Sequence, residues 1–107
     1  MIYLITILFA VNLVSAAVVQ GTVYSISLDV LNGAIVQIDT EPKQIKVAKD
    51  GTYAFSVEPG DYIIKSAYSN GDQYYFEENI TVKEQNGIYN IDLILLPDLD
   101  EEEFEEI

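Results

Sequence analysis

The chain has 107 residues, carries 18 acidic against 5 basic side chains for a formal charge of -13, and contains neither histidine nor cysteine. A chain of this length supports one domain, and without cysteine that domain has no disulfide. The missing residue types also remove the usual zinc ligands and the serine-histidine and cysteine-histidine nucleophiles, and the acidic balance argues against nucleic acid as a partner.

The first segment, MIYLITILFAVNLVSAAVV, is almost wholly apolar, and Val14-Ser15-Ala16 before Ala17 fits the small-residue pattern of a cleavage site. Residues 1–17 are therefore expected to be a secretory signal. No Lys or Arg precedes the apolar run, so an uncleaved membrane tether through Ile2 to Val19 is the alternative. Either reading sets the rest of the chain outside the cytoplasm, secreted or held at the outer face of the membrane.

From Val18 onward apolar residues recur with period two in short runs bounded by Gly, Pro, Asn and Asp, which is the strand pattern. Seven strands are expected, near Val18 to Ser25, Ala34 to Thr40, Gln44 to Lys49, Thr52 to Glu58, Tyr62 to Tyr68, Gln73 to Lys83 and Ile88 to Leu96. That number of short strands predicts an all-β sandwich. Asp50-Gly51 and Pro59-Gly60 read as the structural turns of tight hairpins, which would make Thr52 to Glu58 and Tyr62 to Tyr68 paired neighbours. The inward positions are then Val19, Val23, Val36, Ile38, Tyr53, Phe55, Val57, Tyr62, Ile64, Tyr74, Phe76, Ile80, Val82, Tyr89, Ile91, Leu93 and Leu95. Gly21 falls among them, and a glycine there marks a bulge or a close backbone approach.

The motifs Val19-Gln-Gly-Thr-Val-Tyr24, Asn32-Gly-Ala-Ile-Val36, Lys49-Asp-Gly-Thr-Tyr-Ala-Phe55 and Pro59-Gly-Asp-Tyr62 resemble the carboxypeptidase regulatory-like domains. The resemblance covers Val18 to about Leu96 and implies a seven-stranded transthyretin-like (prealbumin-like) sandwich over residues 18–97. Gly21-Thr-Val-Tyr24 with Ile38-Asp-Thr-Glu-Pro-Lys-Gln44 is more specifically similar to the extracytoplasmic domain of archaeal membrane-associated transcriptional regulators. In those proteins a membrane helix and a winged helix follow an acidic spacer. Two special chemistries of the wider group do not carry over: the hydrolases rely on histidine, and the cross-linked adhesin modules need a lysine on the first strand, where Val18 to Ser25 has none.

Three features are candidate sites. Asn79-Ile-Thr81 is a glycosylation sequon whose Asn79 faces away from the core by alternation. Around the Asn70-Gly71 turn, Tyr68, Asn70, Asp72 and Tyr75 combine aromatic faces with amide and carboxylate groups suited to a sugar or peptide. The last ten residues, 98–107, hold seven of the acids but lack the glycine and ligand spacing of a calcium loop, so they read as a solvated tail or spacer. No constellation of carboxylates marks a catalytic site, and no metal or cofactor is expected. The sequence thus predicts a non-enzymatic exported module that contacts protein or glycan at the cell surface. The alternatives are the sensor domain of a membrane regulator and, more weakly, a glycan-acting enzyme that uses carboxylates alone.

Overall fold

The structure, a computed structural model, describes residues 16–97; the acidic tail and residues 1–15 of the expected signal or tether lie outside the described residues, while Ala17 to Val19, the last residues of the expected tether, belong to a strand. Nine strands occur among those residues: β1 (Ala17–Tyr24), β2 (Ile35–Ile38), β3 (Gln44–Val47), β4 (Thr52–Val57), β5 (Gly60–Ser69), β6 (Gln73–Val82), β7 (Ile88–Asn90), β8 (Leu93–Ile94) and β9 (Leu96–Pro97). They form two sheets, one ordered β4-β1-β7 with β8 also on β1, the other ordered β3-β2-β5-β6-β9. Phe55, Val19, Val23 and Leu93 from the smaller sheet meet Val36, Ile38, Ile64 and Val82 from the larger in one buried cluster. The domain is an all-β sandwich.

Its core follows directly from the alternation. Strand β4 shows this most plainly, with Tyr53, Phe55 and Val57 buried and Thr52, Ala54 and Ser56 exposed. Of the inward positions expected from sequence, Tyr62, Tyr74, Phe76, Tyr89 and Ile91 are half-buried rather than buried and flank the core. Ala17, Ala34 and Ala48 complete it as small fillers. Ser66 is also buried, with no hydrogen-bond partner for its hydroxyl among the described residues.

Strand pairing departs from the sequence expectation in two places. First, Asp50-Gly51 and Pro59-Gly60 do not close hairpins: β4 pairs with β1 and β5 pairs with β2 and β6, so each turn carries the chain from one sheet to the other. The residues are still those that sharp turns need. Asp50 (φ 58°) and Gly51 (φ 80°) adopt left-handed backbone, and the Asp50 N–H is held by Asn32 Oδ1 at 3.0 Å. At the second corner the Tyr62 hydroxyl donates to the Glu58 carbonyl at 2.6 Å. Alternation tells a strand which face is buried, but not which strand lies beside it.

Second, the expected seventh strand is three. β7 and β8 both run parallel to β1, and β9 then crosses to the edge of the larger sheet beside β6. The break between β7 and β8 has an identifiable cause at Ile91-Asp92. Ile91 N donates to the Gln20 carbonyl at 2.7 Å, while the Thr22 N–H is taken by Asp92 Oδ1 at 3.0 Å in place of a backbone acceptor. The Ile91 carbonyl accepts from the Tyr53 hydroxyl. A Cβ on Gly21 would lie 1.9 Å from that same oxygen, which is the close approach expected of this glycine.

The seam between the two edge strands β3 and β4 is closed by side chains. Gln44 Nε2 donates to the Ser56 carbonyl at 3.0 Å, and Lys46 Nζ to the Ala54 carbonyl at 2.6 Å while lying 5.5 Å from the Phe55 ring centroid. These bonds occupy edge carbonyls of β4 that would otherwise be open to another strand.

Two outcomes follow from the Gly21 junction. Gly21→Ala forces a methyl group into backbone and should lower the unfolding free energy by about 3 kcal/mol or more, read by urea denaturation; an effect within about 0.5 kcal/mol would contradict the close approach. Burial, with the Asp92 and Glu78 carboxylates adding to it, holds the Tyr53 hydroxyl far above its ordinary value of 10.0. A raised folded value leaves stability complete below pH 10.0 and lowers it above, because only the unfolded chain then releases the proton. Urea midpoints between pH 8 and about 11 should therefore fall more steeply for the native chain than for Tyr53→Phe.

Candidate functional site

Several clefts open on the surface of this domain. The one that gathers residues expected from sequence has a volume of about 250 Å³ and is lined by Ser25, Ile26, Ser27, Asp29, Leu31, Tyr68, Asn70 and Tyr74. Two local structures build it. Strands β5 and β6 form a long hairpin whose register runs from Gly60↔Val82 to Ser69↔Gln73. Asn70, Gly71 and Asp72 turn it, with Gly71 at φ 103° and the Asn70 N–H donating to the Asp72 carbonyl at 3.2 Å. Opposite stands the segment after β1, folded on itself by Ser25, whose Oγ accepts from the Ser27 and Asp29 N–H groups, each at 3.2 Å.

Tyr68 and Tyr74 are cross-strand partners on the hairpin, with ring centroids 6.3 Å apart and planes tilted by 45°. Both rings are half-buried and rest on the edge of the core. The cleft is thus lined by two tyrosine side chains together with the polar residues Asn70, Asp29 and Ser27. Such a set can cover the C–H face of a ring while meeting its hydroxyl groups.

Of the four contact residues expected from sequence, the structure brings together Tyr68 and Asn70. Tyr75 stands on the opposite face of β5–β6, where its hydroxyl donates to Glu77 Oε1 at 2.6 Å. Neighbouring residues of a strand point to opposite faces, so Tyr74 and not Tyr75 joins Tyr68. Asp72 is exposed in the turn and is not among the residues that line the cleft. The contribution of Ser25, Ser27 and Asp29 was missed; the signal was a cluster of short polar residues after a strand, which reads only as a turn until the hairpin is placed beside it.

The other expected positions are found as follows. Asn79 is exposed on the outer face of the larger sheet, and the hydroxyl of its sequon partner Thr81 donates to Asp61 Oδ1 at 2.8 Å. Asp39, Glu41, Glu58 and Asp61 line a second cleft of about 580 Å³. Asp39 Oδ1 there accepts the Ile63 N–H at 2.7 Å, so two of these carboxylates hold structure. A third cleft, about 550 Å³, crosses the outer face of the smaller sheet between Gln20, Asn90 and Asp92 and the lysines Lys46 and Lys49. Among the described residues no group of three or more acidic side chains is arranged to hold a metal ion, and no helix is long and apolar enough to cross a membrane.

Fold and cleft together define a class, a small two-sheet β-domain with an aromatic cleft between its β5–β6 hairpin and the β1–β2 connection. No family model and no curated protein matches the chain. Among solved structures it is similar to a DUF4876 family protein from Bacteroides thetaiotaomicron, at 16% sequence identity and a TM-score of 0.48. That match covers 76% of this chain and 24% of the other.

Proposed function

We propose that the chain is an exported, non-enzymatic sandwich of the transthyretin-like, carboxypeptidase regulatory-like kind, and that it binds an uncharged sugar in the cleft lined by Tyr68 and Tyr74. The observation that carries this reading is the pairing of two half-buried tyrosine rings with Asn70 and Asp29 at one opening. The charge of -13 supports a neutral ligand over an anionic one. Export is supported by the apolar start of the sequence, and the transthyretin-like assignment by the two sheets and by the turn residues around Gly51 and Gly60. A sensor domain of a membrane regulator would use the same cleft, with the chain held at the membrane instead of released.

The test is a glycan array and intact-mass analysis of the full chain produced in an exporting host. The expected protein begins at Ala17 or Val18, is recovered in the soluble fraction, and binds a neutral glycan. Tyr68→Ala and Tyr74→Ala should each weaken that binding by about tenfold with the far-UV circular dichroism unchanged. The exposed variant Asn70→Ala reports on the site without touching the core. Binding that all three variants leave intact would contradict the site, and full-length protein in the membrane fraction would contradict release.

A further inference from the structure

The outer face of the larger sheet carries an unbroken apolar row. Register places Val47 beside Ile35, Ile35 beside Ala67, Ala67 beside Tyr75 and Tyr75 beside Leu96, so the row crosses all five strands. Each of these side chains is open to solvent: Val47 is 63% exposed, Ile35 48%, Tyr75 40% and Leu96 49%, and Ala67 is exposed as well. With Ile45 beside them they present on the order of 500 Å² of apolar surface, in the upper range for the largest patch on a monomer. A stable interface buries roughly 800 Å² per partner, so a contact centred on this row would also take in the polar rows on either side.

We infer that this face is the contact between two copies of the chain, joined sheet to sheet about a two-fold axis that runs along the strands between β5 and β6. Three features favour a second copy as the occupant. The axis sets Ala67 of one copy against Tyr75 of the other, a small residue against a large one, and Ile35 against Leu96, two apolar residues. The next row along the strands pairs Lys65 with Glu77, and the same axis sets each lysine against the glutamate of the other copy. The face carries one charge of each sign there, while the whole chain is strongly acidic, so two copies approach here with less repulsion than the net charge alone would give. Association through the β4 edge is opposed by Gln44 and Lys46, which already occupy its carbonyls.

The proposal is tested by sedimentation equilibrium of the full chain, purified as an exporting host leaves it. An Asn79→Gln background keeps a glycan, one row beyond the Lys65–Glu77 pair, from adding mass or bulk. A dimer is expected below about 100 μM. Ala67→Glu, which places an unpaired charge at the centre of the contact, should weaken it on the order of 100-fold. Lys65→Glu should weaken it about tenfold, the double change Lys65→Glu with Glu77→Lys should restore it, and Lys49→Glu, away from the row, should leave it unchanged. Circular dichroism checks that each variant is folded. A monomer at every concentration, or a dimer indifferent to Ala67→Glu and Lys65→Glu, would overturn the assignment. A monomer that floats with neutral lipid vesicles would overturn it too and give the face to a membrane surface.

Discussion

The approach of the Ile91 carbonyl to Gly21 is the constraint on which the rest of the molecule depends. β1 is the central strand of its sheet, paired antiparallel with β4 on one side and parallel with β7 and β8 on the other. Only a residue without a side chain lets the last part of the chain close against β1 at that point, and Tyr53 and Asp92 then satisfy the groups that the ladder leaves over. With β1 held on both sides, β4 stands at the edge of its sheet, where Gln44 and Lys46 take its outer carbonyls, and the chain after it passes to the other sheet at Pro59-Gly60. The same junction ends β7 and begins β8, from which the chain crosses to β9 through Leu95, buried in the core.

That layout decides where function can sit. Among the described strands, those adjacent in sequence pair with each other only at β2–β3 and β5–β6; β7 and β8 follow one another along β1, and the other connections pass between sheets. The aromatic cleft arises where one such connection, after β1, lies over the tip of the β5–β6 hairpin. The two outer faces divide by chemistry. Gln20, Thr22, Asn90 and Asp92 make the middle of the smaller sheet polar, with Gln20 Nε2 donating to Asn90 Oδ1 at 3.0 Å and the exposed Ile88 and Ile94 lying to either side, whereas the larger sheet carries an apolar row across all its strands. A domain whose interior is stabilised by Phe55 and its aliphatic neighbours does not need that row for its own core.

Much of this was legible in the sequence. Period two located six of the expected strands to within a few residues and named Val19, Val23, Phe55 and Ile64 as interior, because each strand has one buried face. Gly21 was readable as a bulge or a close approach, and the Ile91 carbonyl decides for the second. Partners were not readable. Asp50-Gly51 and Pro59-Gly60 look the same whether a chain doubles back beside itself or crosses to another sheet, and only the competition for β1 separates the cases. The grouping of Tyr75 with Tyr68 failed because nearness in a turn was put ahead of alternation. The row from Val47 to Leu96 was passed over for a related reason: Ile35, Ile45 and Val47 sit on the face that an inward count discards.

The pairing of β4 is the most direct test of this architecture, and cross-strand nuclear Overhauser effects in isotope-labelled protein measure it. The fold predicts contacts linking Val19 with Phe55 and Gly21 with Tyr53, together with parallel-type contacts between Val19 and Tyr89. A ladder of contacts joining the stretch from Tyr53 to Val57 with that from Tyr62 to Tyr68 would mean that Pro59-Gly60 closes a hairpin, and would contradict the crossing of the chain between the two sheets at that turn.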